Sequence, residues 1–355
     1  MPHLLVDASI DPARLAELQR SSGLSIAIAP GELDTARALP AELLRDVRAI
    51  LCTYVPKNFE QMPSLELVQL CSAGFVQVEN LGLADRGVTV CTASGVNDIP
   101  IAEWTVMMLI ALARDLPGMF RNQQKGVWDR TPRFQQEIRG RTLGIWGYGG
   151  IGRETARLAS AMGLRVHVMT RWGSTSIGDR FHVEGTGDDA GVIPDAVFTL
   201  ADVEEFCASL DFLLLAMPQT PENVGIVNRR VFEALPDRAF LLNPARGPLV
   251  NEEDLLWALR SGKIAGAALD THFKYPLPAD HPLWAMPNVI MTPHIAGSTL
   301  SPHFKDRLWR LFDENVRRLQ AGRPLLNALS RGQLEPREAG ASRALLAASA
   351  ARSKG

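Results

Sequence analysis

The sequence predicts an α/β protein of two lobes, each built on a mostly parallel sheet. Three observations predict it. Short β-rich runs alternate with helical patterns along most of the chain, which is the signature of βα units. One long apolar helical segment separates an earlier alternating series from a later one, and 355 residues supply roughly two domains of ~150 residues each. Composition fits a packed chain, since 46% hydrophobic and 21% charged residues lie far from the disordered class. With 37 basic and 39 acidic side chains the net charge is -2, so nothing marks a nucleic-acid backbone or an anionic membrane as partner, and a small molecule is expected instead. Cys52, Cys71, Cys91 and Cys207 form no Cys-x-x-Cys pair and read as reduced core thiols. Asp7 and Asp11 interrupt the apolar start before a secretory core develops, and the longest apolar stretch, Ile99 to Ala113, contains Glu103 and is too short for a bilayer. A cytoplasmic protein is expected.

In the first hundred residues, strands are read at Leu4–Val6, Ser25–Ile28, Ala49–Cys52, Leu67–Leu70 and Val88–Val90. A connector helix from about Ile101 to Arg121 follows, with Pro100 near its start and Glu103 in its first turn. The second series has strands at Leu143–Trp146, Leu164–Met169, Asp211–Met217, Ala239–Leu242, Ala265–Leu269 and Val289–Met291. Between them one helix is signed by Asn251 as N-cap, acids at Glu252, Glu253 and Asp254, and Gly262 as the stop. Another starts with Ser301 as N-cap and Pro302 at its first position, with Phe304, Leu308, Leu311, Phe312 and Leu319 on one face, and is expected to return the chain to the first lobe. Residues 172–194, rich in Gly, Ser and Asp, read as a long loop the fold does not require, and residues 331–355 as a flexible tail.

The sharpest local signal is Gly147-Tyr148-Gly149-Gly150-Ile151-Gly152, directly after one strand and directly before a helix. Ile151, Thr155, Leu158, Ala159 and Met162 keep helical period and Gly163 stops it, so the motif sits in a complete βαβ unit. Gly147 allows the tight turn, Gly149 lets backbone approach a pyrophosphate, and Gly152 lets helix and strand pack closely, while the helix N-terminus offers free N–H groups to the phosphates. An NAD site usually carries an acid at the end of the second strand, but 18 residues after Gly152 the chain has Thr170. With no carboxylate to repel a 2′-phosphate and with Arg171 beside it, followed by Ser174, Thr175 and Ser176, NADP(H) is the expected cofactor and NAD(H) the second choice.

Downstream, the strings Leu242-Asn243-Pro244-Ala245-Arg246-Gly247, Gly266-Ala267-Ala268-Leu269-Asp270 and Met291-Thr292-Pro293-His294-Ile295-Ala296-Gly297 stand at predicted strand ends, where open α/β sheets bind ligands. With the glycine motif, they make the chain from about Ser72 to Asn327 resemble the D-isomer-specific 2-hydroxyacid dehydrogenase family, in its glyoxylate/hydroxypyruvate reductase-like branch. The resemblance implies a flavodoxin-like substrate domain from both chain ends (1–100 and 300–330), a Rossmann dinucleotide domain between (101–299), and an active site in the cleft. The chemistry agrees: Arg246 has the planar fork for a 2-oxoacid carboxylate and carbonyl, and His294 can serve as general acid. The resemblance further implies substrate contacts from the backbone around Ala73, Gly74 and Phe75, with Asn97 at the edge. It implies cofactor contacts from Ala216, Met217, Pro218, Pro244 and Ala245, and a carboxamide-orienting role for Asp270. Trp128 and Phe134 fall where the family places a dimerisation arm, so a homodimer is expected, with the two aromatics either at that interface or in the cleft wall. One position departs from the pattern: 29 residues after Arg246, where most members carry the glutamate that pairs with the histidine, this chain has Tyr275. His272, His281 and His303 match no metal-ligand spacing. Two other readings stay open, a formate-dehydrogenase-like hydride abstraction and a dinucleotide-sensing, corepressor-like binding protein.

Overall fold

A computed structural model describes residues 3–29 and 35–335. In chain order its first strands and helices are β1 (His3–Asp7), α1 (Pro12–Ser22), β2 (Ser25–Ile28), α2 (Ala41–Leu44), β3 (Val47–Cys52), β4 (Leu67–Leu70), β5 (Thr89–Cys91), α3 (Asp98–Ala113) and α4 (Leu116–Lys125). Next come β6 (Thr142–Trp146), α5 (Gly150–Ala161), β7 (Arg165–Met169), β8 (Ala196–Phe198), α6 (Val203–Ala208), β9 (Phe212–Leu215), α7 (Arg229–Ala234) and β10 (Phe240–Asn243). The last are α8 (Glu252–Arg260), β11 (Gly266–Leu269), β12 (Val289–Met291), α9 (Pro302–Gln320) and α10 (Arg331–Leu334). The chain divides into two units: the described residues of Met1–Asn97, Asp179–Val183 and Thr299–Gly355 make the first, and Asp98–Gly178 with Glu184–Ser298 make the second.

The first unit carries a five-stranded parallel sheet in the order β2-β1-β3-β4-β5, the flavodoxin-like order. Its strands are apolar at nearly every position because both faces are covered. Leu5, Ile50, Val68 and Val90 point into one cluster, while Leu4, Val6, Ala49 and Leu51 point into another closed by Leu308, Trp309, Phe312 and Val316 of α9. The expected caps form: Ser301 Oγ accepts the Phe304 N–H at 3.2 Å, and α9 packs within this unit.

The second unit carries a seven-stranded parallel sheet in the order β12-β11-β10-β9-β6-β7-β8. Strand order reverses between β6 and β9, the switch point at which doubly wound sheets bind ligands. Leu143, Ile145, Val166, Phe212 and Leu214 face Trp104, Leu109 and Leu112 of α3 on one side; Leu213, Leu215, Leu241 and Leu269 face Phe206, Phe232 and Leu255 on the other. Asn251 caps α8 by accepting the Asp254 N–H at 3.1 Å, and Gly262 follows the helix at φ 73°.

Four features differ from the sequence reading. The single helix expected over 101–121 is two, because Pro117 cannot continue a helix interior; α3 ends at Ala113, and α4 restarts with Asp115 at φ 47° capping the Gly118 N–H and Pro117 in its first turn. The three-residue edge strand β8 was not foreseen. The expected tail is helical at Arg331–Leu334, where Ser330 caps and Leu334 joins the first unit's core, and its residues 336–355 lie outside the described residues. Finally, the 172–194 loop sends Asp179–Val183 into the first unit: the Phe181 N–H donates to Asn327 Oδ1 at 3.3 Å, and its carbonyl lies so close to Gly95 that no Cβ fits there. No helix among the described residues is long and apolar enough to cross a membrane. All four cysteines are free, and burial pushes the Cys71, Cys91 and Cys207 thiols up to about 12.

Candidate active site

The glycine turn after β6 is shaped by what a side chain would strike. Gly147 lies at φ 104°, and a Cβ there would sit 2.8 Å from the Ala216 carbonyl carbon, so the turn presses directly on Ala216 and Met217 after β9. A Cβ at Gly152 would overlap the Gly147 carbonyl oxygen, whereas one at Gly149 would meet nothing within 4 Å. The open side is therefore at Gly149, which precedes α5 without any side-chain cap, leaving the first N–H groups of that helix without a side-chain acceptor. Gly150, left unconstrained by the motif, is needed as well, since a Cβ would overlap the Asp98 carboxylate. Tyr148 is buried and Ile151 half-buried.

At the end of β7, the Thr170 hydroxyl is buried with no hydrogen-bond partner, while its N–H pairs with Phe198. Arg171 is exposed beside it. The acid nearest in effect to Arg171 was not anticipated: Glu222 is held below its usual carboxylate range first by the Thr220 hydroxyl and also by the Arg171 charge. An uncapped helix N-terminus, open space at Gly149 and an orphaned buried hydroxyl at Thr170 fit a dinucleotide with its pyrophosphate at α5 and its adenosine ribose at β7.

Two loops at the carboxyl ends of β10 and β12, the strands on either side of β11, carry the candidate reactive side chains. After β10, the buried Asn243 amide fixes the turn, its Oδ1 accepting the Ala245 and Arg246 N–H groups at 3.1 and 3.2 Å and its Nδ2 donating to the Arg246 carbonyl at 2.8 Å. Pro244 is buried; Arg246 is half-buried, donates to the Ala245 carbonyl, and has no acid partner among the described residues. After β12, His294 adopts φ 58°, a left-handed conformation that is strained for a non-glycine residue. Asp270, 1% exposed, holds it there. Its Oδ1 accepts the Thr292 hydroxyl at 2.6 Å and the Ile295 N–H at 2.9 Å, its Oδ2 accepts the Ala296 N–H at 3.0 Å, and its carbonyl accepts the His294 N–H at 2.8 Å. Trp104 of α3 donates to the Thr292 hydroxyl, extending the brace.

His294 has accessible surface, yet the surrounding protein lowers its pKa: desolvation acts first, Arg246 and His272 lower it further, and Asp270 opposes them. Tyr275 stands beside it, ring centroids 5.5 Å apart, and among the described residues no carboxylate pairs with the His294 ring. The Tyr275 hydroxyl accepts the His272 N–H at 3.2 Å, and His272 Nε2 donates to the Thr292 carbonyl at 2.9 Å. His272 thus braces both sides, a role its lone position in the sequence did not suggest. His281 is tied between the Leu283 N–H and Glu252.

Ala73, Gly74, Phe75 and Asn97 belong to the first unit. The Ser72 hydroxyl holds the Gly74 carbonyl at 2.7 Å, the Phe75 side chain is core, and Asn97 Oδ1 is buried without a partner. Met217 is half-buried and Pro218 exposed after β9. Of the two aromatics expected together, Trp128 is exposed and Phe134 is buried under the Arg133 guanidinium, and both line one pocket beside α4.

A sequence profile described as "D-isomer specific 2-hydroxyacid dehydrogenase, NAD binding domain" matches residues 106–296, from α3 through the His294 loop. The chain belongs to the D-isomer specific 2-hydroxyacid dehydrogenase family. Within the family, it is 32% identical over 270 residues to a glyoxylate reductase of Thermofilum pendens, covering 73% of this chain and 76% of the relative. It is 29% identical over 327 residues to a D-3-phosphoglycerate dehydrogenase of Archaeoglobus fulgidus, covering 90% of this chain but 58% of the relative, so the chain spans little more than half the length of that enzyme. Among solved structures, a D-isomer specific 2-hydroxyacid dehydrogenase of Xanthobacter autotrophicus in complex with NADPH and MES superposes with a TM-score of 0.74 at 28% identity, over 93% of this chain and 98% of that one. The resemblance read from the motifs and the α/β fold of two parallel sheets are both borne out.

Proposed function

We propose that the chain is an NADP(H)-dependent oxidoreductase interconverting a small 2-oxoacid, of the size of glyoxylate or hydroxypyruvate, with its D-2-hydroxyacid. One observation carries this reading: Arg246, a guanidinium without an acid partner among the described residues, acts electrostatically on an imidazole held in a strained backbone, His294. Arg246 clamps the substrate carboxylate and polarises the carbonyl oxygen with its planar fork. His294 gives a proton to that oxygen in reduction and takes it back in oxidation. A bound nicotinamide supplies the hydride. Asp270 keeps His294 in position through the bonds to residues 292–296, and Tyr275 covers one face of the imidazole. The backbone at Ala73–Phe75 is assigned to the substrate carboxylate with Asn97 at the edge of the site, Asp270 also to the nicotinamide carboxamide, and Pro244, Ala245, Ala216, Met217 and Pro218 to the cofactor. Thr170 and Arg171 support NADP(H) over NAD(H), as does the similarity to a dehydrogenase solved with NADPH. Exposed Phe120, Val127 and Trp128 around α4 support a homodimer.

Purified protein is mixed with NADPH or NADH and a panel of 2-oxoacids, and loss of nicotinamide absorbance is followed. Turnover is expected with glyoxylate or hydroxypyruvate, with NADPH favoured by about tenfold to a hundredfold, the worth of one charge-assisted phosphate contact, and Arg171→Ala should remove most of that preference. His294→Ala should depress turnover by about 10²–10⁴ while leaving NADPH binding intact. NADPH binding without turnover of any 2-oxoacid would favour a sensing protein, and formate oxidation would favour that branch of dehydrogenases.

A further inference from the structure

The segment between β7 and β8 is fastened to the phosphate turn by a buried polar cluster. Arg153, in the first turn of α5, is 1% exposed, and its two arms donate to carbonyls on opposite limbs of the segment, Thr175 on the outgoing limb and Asp188 on the returning one. Its guanidinium lies 4.6 Å from the centroid of the Tyr148 ring. The Tyr148 hydroxyl, in the middle of the glycine turn, donates to Asp188 Oδ2 at 2.6 Å, and the Val192 and Ile193 N–H groups donate to the same carboxylate at 3.1 Å each. Next to Arg153, Glu154 accepts the Gly187 N–H at 2.7 Å.

This cluster is more than the fold of the sheet requires. A positive side chain at the amino end of a helix opposes the helix dipole, and a buried guanidinium costs free energy unless its donors are satisfied. Here two loop carbonyls accept from its two arms, and the fork shape of arginine suits two acceptors at once in a way lysine does not. Asp188 stays ionised: burial works to raise its pKa, but the Tyr148 hydroxyl, the Ile193 and Val192 amides and the Arg153 charge outweigh it and hold the carboxyl below its usual range. The outgoing limb that Arg153 grips is the turn 174–176, whose Ser174 and Ser176 hydroxyls pair at 2.8 Å, and it follows directly on Thr170, Arg171 and Trp172. An adenosine ribose bound in a dinucleotide fold lies between the end of the second strand and the amino end of the first helix. Residues 171–176 border that position twice, by chain continuity from β7 and by the Arg153 bond from α5.

We propose that Arg153 and Asp188 are positioning residues for cofactor selectivity: they lock the 171–176 segment in place as the edge that recognises a phosphate on the adenosine 2′ position. The proposal rests on the NADP(H) reading above. It assigns to the 172–194 insertion a task in ligand discrimination that neither residue performs by touching ligand.

The test uses the full chain and two probes that differ only in the 2′-phosphate, adenosine 2′,5′-bisphosphate and 5′-AMP, titrated calorimetrically against wild type, Arg153→Lys and Asp188→Asn, with a melting curve for each. Wild type should prefer the bisphosphate. Arg153→Lys should lose about tenfold of that preference, the lower end of a charge-assisted contact, with the 5′-AMP affinity within about twofold of wild type. Asp188→Asn should shift the preference in the same direction by less, and it decides the matter if Arg153→Lys does not fold. A folded variant that keeps the wild-type preference overturns the lock and leaves the NADP(H) reading standing. Equal loss of both probes shows a merely structural role and also overturns it. Wild type binding the two probes equally overturns the NADP(H) reading and the lock together.

Discussion

The turn Gly147–Gly152 and the loop Met291–Gly297 both lie at carboxyl ends of strands in one sheet, and they are held by opposite means. The turn keeps its shape because atoms are missing: a Cβ at Gly147, Gly150 or Gly152 would run into Ala216, Asp98 or the Gly147 carbonyl. The loop keeps its shape because one buried carboxylate, Asp270, gathers a hydroxyl and two amides and forces His294 into φ 58°. A binding site for phosphates needs bare backbone N–H groups, so sterics are the only tool left to define it. A proton-transfer site needs one side chain aimed accurately, and a hydrogen-bonded brace supplies that. The first should fail when atoms are added and the second when they are removed.

The largest effect is expected from the loop. Asp270→Ala leaves the Ile295 and Ala296 N–H groups and the Thr292 hydroxyl without their acceptor, at a cost of about 3 kcal/mol or more in stability, and releases His294 from its strained position with about a hundredfold loss of turnover. Urea unfolding and steady-state kinetics measure both; wild-type stability would mean the loop is held by something else. The turn offers a matched pair. Gly152→Ala should cost about 1–3 kcal/mol because backbone must move, whereas Gly149→Ala points into open space and should leave stability within about 0.5 kcal/mol while weakening NADPH binding about tenfold. If both variants lost stability equally, the distinction between the open and the packed side of the turn would be wrong.

The smallest effect concerns the charge on His294. Its pKa lies below the ordinary histidine value, chiefly through desolvation, with Arg246 and His272 lowering it further and Asp270 raising it. Reduction needs the protonated ring, so its rate should fall as pH rises through this depressed pKa, and oxidation should gain over the same interval. Tyr275→Glu places a carboxylate beside the ring and should move the reductive limb upward by about one pH unit. An unmoved profile in a folded, cofactor-binding variant would make Tyr275 a covering residue only.

Signals confined to a few consecutive residues were legible in the sequence. The strands around Leu4, Ile26, Ile50 and Val68, the caps at Asn251 and Ser301, and the βαβ setting of the glycines all rest on local periodicity or local turn chemistry. Pro117 was a local signal too, and it breaks the connector helix that apolar periodicity alone extends to Arg121. What stayed hidden depends on partners far apart in the chain. Tyr148 and Asp188 are 40 residues apart, Trp104 and Thr292 are 188 apart, and no spacing rule relates them. Strand β8 is too short to show a period, and its place at the sheet edge is set by pairing with β7. His272 carried no signal because its work is done by a backbone N–H and one ring nitrogen in bracing neighbours.

The excursion of Asp179–Val183 into the first unit bears on how separable the two units are. A protein joined only at 97–98 and 298–299 could be divided by two cuts, and its nucleotide-binding half exchanged between relatives as a cassette. Here the piece running from residue 98 to 298 would carry away Phe181, whose neighbours Gly95 and Asn327 remain on the other piece, and Asp179, whose partner Arg318 remains there as well. One piece would be left with a gap at Gly95, Arg318 and Asn327, and the other with a segment cut off from its neighbours. Grafting this nucleotide-binding half onto another substrate unit would require transplanting the receiving surface at Gly95, Arg318 and Asn327 along with it, so recombination within the family has a seam here that is stitched at four points instead of two.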